Sequence, residues 1–159
     1  MILMGIALVP IVVIESMVVR KPMALRFPKA LLHVGVANFL TTIIGVPLAW
    51  GAMFGLSLLT TRGYALGMNS PAKMLAAVTL QAAWLVPYEH QLVWMIPAAA
   101  MTLLIPCFLA SVILERWVLV ACWPNQERRA VYRVVVRANV WSYLFLFAAG
   151  SVWLILSLR

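Results

Sequence analysis

Acidic residues are nearly missing from this sequence: Glu15, Glu89, Glu115 and Glu127 are all it has among 159 residues. Charged residues of either sign make up 10%, against roughly a quarter in a soluble domain. A chain this poor in charge cannot cover a water-facing surface, which excludes an ordinary soluble domain. Cysteine is as scarce, with Cys107 inside an apolar run and Cys122 near the end of one. Without a CxxC, CxxCH or Cys/His cluster, neither a disulfide framework nor a structural zinc site is expected, and the two thiols read as small apolar fillers. No nucleophile–base pair or phosphate-cradling loop is visible either, so the reading is non-enzymatic, with no catalytic residue, cofactor or metal. His33 and His90 lack the company that a metal or haem ligand needs.

Hydrocarbon fills the chain instead. Hydrophobic residues reach 65%, and the mean hydropathy is +1.04. The apolar runs Ile2 to Val19, Leu31 to Leu59, Leu92 to Trp123 and Ala138 to Leu158 compare with the ~20 residues that cross ~30 Å of hydrocarbon. The first run is followed, not preceded, by positive charge, so it reads as a retained span and not as a secretory signal. Four spans result.

Positive charge orients them. The first connection carries Arg20, Lys21, Arg26 and Lys29, and the third carries Arg128, Arg129, Arg133 and Arg137, whereas the longer second one carries Arg62 and Lys73. Lys and Arg collect on the cytoplasmic side. Both termini are therefore expected outside, with two basic loops inside, in a plasma (inner) membrane of prokaryotic type. Residues 72–91 hold an apolar part of about fifteen residues, short for a span and suited to an outer amphipathic or re-entrant helix. A fifth span there would turn the basic third connection outward, against the charge rule. The net charge of +8 meets anionic lipid headgroups and not nucleic acid, since no soluble domain is present to bind one. Arg128, Arg129 and Arg133, within QERRAVYRVVVR, are expected along the inner headgroups or against a partner.

Two of the scarce glutamates interrupt the greasiest segments, in VIESMVV and ILERWVL. Glu15 is followed 23 residues on by Asn38, and Glu115 is followed 24 residues on by Asn139. Each Asn follows an Ala, and each has a hydroxyl three positions later, Thr41 and Ser142. The expected fold class is thus an all-α integral membrane protein of four transmembrane helices, arranged as two pseudo-repeated hairpins. Residues 1–60 and 92–159 form the hairpins, and 61–91 form an outer connection with a short interfacial or re-entrant helix.

A carboxylate near the bilayer centre costs roughly 2.5–3.5 kcal/mol on insertion scales, so it must face the bundle, pair or take up a proton. Glu15, Asn38, Thr41, Glu115, Asn139 and Ser142 form the candidate polar cluster, with Arg20, Arg116 and Arg137 as candidate counter-charges. Three roles compete for it: interhelical glue, a cation or proton site, and contact with a partner helix or lipid headgroup. Gly51 and Gly55 make a small-xxx-small face for helix packing. Pro47, Pro97 and Pro106 suit kinks, and the tryptophans suit interfacial belts. The function expected is a small non-catalytic subunit or scaffold of a membrane complex, with other membrane subunits or copies of itself as partners. The alternative is a small oligomeric ion- or proton-coupled transporter or channel using Glu15 and Glu115.

Overall fold

The computed structural model describes residues 2–67, 69–82 and 93–159, and over these the chain is helical with no strand. The helices are α1 (Ile2–Arg20), α2 (Phe27–Thr61), α3 (Pro71–Leu80), α4 (Met95–Cys122) and α5 (Arg128–Ser157). Three of them, α2, α4 and α5, are long and apolar enough to cross a membrane. At 35 residues, α2 extends over about 50 Å, well beyond the hydrocarbon thickness.

The chain punctuates these helices with ordinary local chemistry. Arg20 closes α1 at the negative end of its dipole. The chain then turns through Ala24 at φ 51°, and Leu25 N–H donates to the Arg20 carbonyl at 2.8 Å. Pro28 follows at the second position of α2, where a missing N–H costs nothing. Hydroxyls inside α2 turn back on their own backbone: Thr42 Oγ1 donates to the Asn38 carbonyl and Thr61 Oγ1 to that of Ser57, both at 2.8 Å. Such i−4 bonds let polar side chains sit in an apolar helix. Arg62 and Gly63, both at positive φ, end α2.

Within residues 72–91, the described part forms one short helix, α3. Ser70 caps α3, Pro71 occupies its first turn, and the helix runs for 10 residues, about 15 Å and half a bilayer core. The remainder of that stretch, with Trp84, Pro87, Glu89 and His90, lies outside the described residues, as does Leu92.

The chain divides into two compact units, Met1–Val46 with Phe108–Phe145, and Pro47–Cys107 with Leu146–Arg159. These units mix residues from both expected hairpins, because α2, α4 and α5 each contribute to both. Two of the boundaries fall beside Pro47 and Pro106, where a helix loses a backbone bond. The first unit has a core of Val19, Val34, Ala37, Leu119, Val131 and Val135, closed by Trp123. In the second, Met53, Ala82 and Ala99 pack together, and Ala77 and Val78 pack on Met95. Gln81 secures the loop of this unit, accepting from Leu66 N–H at 3.0 Å and donating to the Tyr64 carbonyl at 2.8 Å.

Close helix approach occurs at a different glycine from the expected pair. A Cβ on Gly51 or Gly55 would meet nothing within 4 Å, whereas one on Gly45 would lie 3.4 Å from Leu114 Cδ1 and 3.6 Å from Ala110 Cβ. The small face at Gly51 and Gly55 is therefore not used within the described chain.

Candidate functional site

The first unit contains the polar cluster, and helical periodicity explains how each side chain reaches it. Glu15 lies one turn from buried Val19, and Asn38 one turn from buried Val34. Glu115 has the same relation to Leu119, and Asn139 to Val135. Residues three and four apart share a helix face, so a polar group in register with core residues must enter the core. Glu15 is 1% exposed and Glu115 2%, although each carries an ionisable carboxyl group. Ser16, Asn38, Thr41, Asn139 and Ser142 are buried with them.

The two Glu–Asn pairs make matching bonds. Asn38 Nδ2 donates to Glu15 Oε2 at 2.6 Å and to the Val34 carbonyl at 3.1 Å. Asn139 Nδ2 donates to Glu115 Oε2 at 2.7 Å and to the Val135 carbonyl at 3.1 Å. In each case one amide hydrogen crosses between helices and the other returns to the helix of origin, so both donors of the NH2 are used. A further bond joins the pairs: Ser142 Oγ donates to Glu15 Oε1 at 2.6 Å. Glu15 on α1 is thereby tied to α2 and to α5. Asn139 and Ser142 lie one turn apart on α5, so the Glu115 and Glu15 carboxyl groups bond to the same turn of that helix.

The candidate counter-charges do not join them. Arg20 sits over the Phe27 ring at 5.9 Å, Arg116 sits over the Tyr132 ring at 5.2 Å, and Arg137 is exposed. Among the described residues neither buried glutamate makes an ion pair. Helix geometry is the reason: at about 100° per residue, Arg116 is turned away from Glu115, and Arg20 is about 140° round α1 from Glu15. Arg128, Arg129 and Arg133 are exposed on the first turns of α5.

Among the described residues, three buried polar atoms have no hydrogen-bond partner: Ser16 Oγ, Thr41 Oγ1 and Asn139 Oδ1. Ser16 did not stand out in the sequence, though its place next to Glu15 on a buried turn was the available signal. Other polar contacts were equally hidden. Trp123 Nε1 donates to His33 Nδ1 at 2.7 Å, which puts a ring proton of neutral His33 on Nε2. Ser111 Oγ and the Tyr143 hydroxyl lie 2.9 Å apart. No protein-family model matches the chain, and neither a curated protein nor a solved structure is similar to it.

The chemistry open to the cluster follows from its atoms. N–H and O–H donors directed at carboxyl oxygens hold helices together at defined positions, whatever else they do. Among the described residues no group of three or more His, Cys, Asp or Glu side chains could hold a metal ion. Two neighbouring carboxyl groups and an unpartnered amide oxygen nevertheless have the chemistry to attract a proton or a small cation.

Proposed function

We propose that this chain is a small non-catalytic polytopic membrane protein acting as a subunit or scaffold in a membrane complex. In this reading α1, α2, α4 and α5 are four spans forming two hairpins of one design. Both termini lie outside, and the basic loops after α1 and α4 lie on the cytoplasmic side of a prokaryotic plasma membrane. The matching bonds of Asn38 and Asn139 support the common design. The distribution of Lys and Arg supports the orientation. One observation carries the reading: Glu15 accepts bonds from Asn38 on α2 and Ser142 on α5, so its buried carboxyl group serves to join three helices. Partners are expected among other membrane subunits or further copies of the chain, because the small face at Gly51 and Gly55 is left open among the described residues.

The alternative reading is an oligomeric ion- or proton-coupled transporter or channel. A separate observation favours it: two buried carboxyl groups bonded to one turn of α5 have no cation paired with them among the described residues, and Asn139 Oδ1, Thr41 Oγ1 and Ser16 Oγ are unpartnered. One experiment separates the two. Glu15→Gln and Glu115→Gln are made singly and together, and both recovery of the native membrane assembly and proton or cation flux in vesicles are measured. Reduced recovery with unchanged flux is the expected result. Normal assembly with reduced flux would overturn the scaffold reading.

A further inference from the structure

A shallow apolar groove runs along the seam between α1 and α5, lined by Ile14, Met17, Val18, Trp141, Leu144 and Phe145. The two helices run antiparallel there, because Val19, one turn after Glu15, shares a core with Val135 and Ala138, which precede Ser142, and the Ser142–Glu15 bond fixes their register. Moving five or six residues from that bond towards the basic ends reaches Arg137 on α5 and Lys21 at the end of α1. Both therefore stand at one level, about 7–9 Å beyond the bond along the helix axes. Helical spacing also places them on the groove side. Arg137 is four residues from Trp141 and seven from Leu144, while Lys21 is four from Met17 and three from Val18. The turn after Arg20 keeps helical spacing, since Met23 N–H still donates to the Val19 carbonyl. Lys21 and Arg137 are both exposed, and among the described residues neither makes an ion pair. Arg20 belongs to another face, against Phe27.

We infer that this seam is a binding site for an anionic phospholipid. Its phosphate lies between Lys21 and Arg137, and an acyl chain occupies the apolar groove. Charge complementarity selects this occupant over a partner helix or a zwitterionic lipid. The groove is apolar along its length, and two cations stand at one end of it, where a headgroup meets the water. Trp141 lies one turn inside Arg137, the depth at which an indole ring sits beneath a headgroup. This inference is independent of whether the Glu–Asn cluster joins helices or binds an ion.

The test uses the full chain in phosphatidylcholine nanodiscs containing either brominated phosphatidylglycerol or brominated phosphatidylcholine. Bromine quenches nearby indoles, and the difference between the wild-type chain and Trp141→Phe isolates the signal from Trp141. That signal should be quenched at a lower mole fraction of the anionic lipid than of the zwitterionic one. Lys21→Gln and Arg137→Gln should each reduce the preference roughly fivefold, as a cation near an anionic headgroup contributes on that order. Arg20→Gln, on the other face, should leave it unchanged. Equal quenching by both lipids in the wild-type chain overturns the inference. So does an Arg20→Gln effect as large as that of Lys21→Gln, which would mean diffuse attraction and no site.

Discussion

Glu15 and Glu115 occupy matching positions, yet their surroundings are not equal. Each accepts from an Asn on the following helix, at 2.6 and 2.7 Å, and each of those Asn side chains returns a bond to its own helix. The difference lies in the hydroxyl three residues after each Asn. Ser142 reaches across to Glu15, whereas Thr41 is buried with its Oγ1 unpartnered. Thr41 also carries a methyl group, which stands 3.2 Å from where a Cβ on Gly45 would lie. A serine turns freely to its acceptor, but a threonine has its rotamer restricted by the methyl. Similar sequence elements therefore carry unequal loads, with three helices joined at Glu15 and two at Glu115.

Substitutions can widen or erase that inequality, and equilibrium unfolding in lipid–detergent mixed micelles reads all of them. The largest loss is expected for Glu15→Ala, about 2–4 kcal/mol, because it strands the Asn38 amide and the Ser142 hydroxyl in the core and leaves a cavity. Glu115→Ala leaves a similar cavity but strands one amide only, and should cost about 1–3 kcal/mol. Equal losses for the two would refute the view that Glu15 carries the greater load. Ser142→Ala should cost roughly 0.6–1.7 kcal/mol, the range of single interhelical bonds in membranes. Thr41→Val should be neutral or slightly stabilising, because it replaces an unpartnered buried hydroxyl by an isosteric methyl. A Thr41→Val loss matching that of Ser142→Ala would restore the symmetry of the two halves. The smallest effect belongs to Gly51→Ala and Gly55→Ala, within about 0.5 kcal/mol for the isolated chain, since among the described residues nothing lies within 4 Å of either added Cβ. If those two variants nonetheless weaken recovery of the assembly, the Gly51 and Gly55 face is where a partner helix approaches.

Much of this was legible in the residues. Low charge and long apolar runs dictate helices, because a backbone in hydrocarbon must satisfy its own N–H and C=O groups. The cost of a carboxylate in hydrocarbon left Glu15 and Glu115 to face the bundle, pair or take up a proton, and the structure buries them against Asn38, Asn139 and Ser142. Counter-charges could not be read so well. Arg20, Arg116 and Arg137 are near the glutamates in sequence, but helix rotation carries them to other faces and two of them settle on aromatic rings. The Gly51 and Gly55 pattern had the composition of a packing face, but composition does not say which helix is opposite.

The sequence by itself determined the apolar character, the helical class and the approximate limits of the long helices, since each depends on local hydropathy and backbone bonding. Only the tertiary structure decided that Ser142 bonds to a glutamate 127 residues away, that Gly45 rather than Gly51 takes the close contact, and that Trp123 donates to His33. Those choices depend on the rotation and register of one helix against another. A sequence pattern identifies the inward face of each helix but leaves that register free, and packing fixes it.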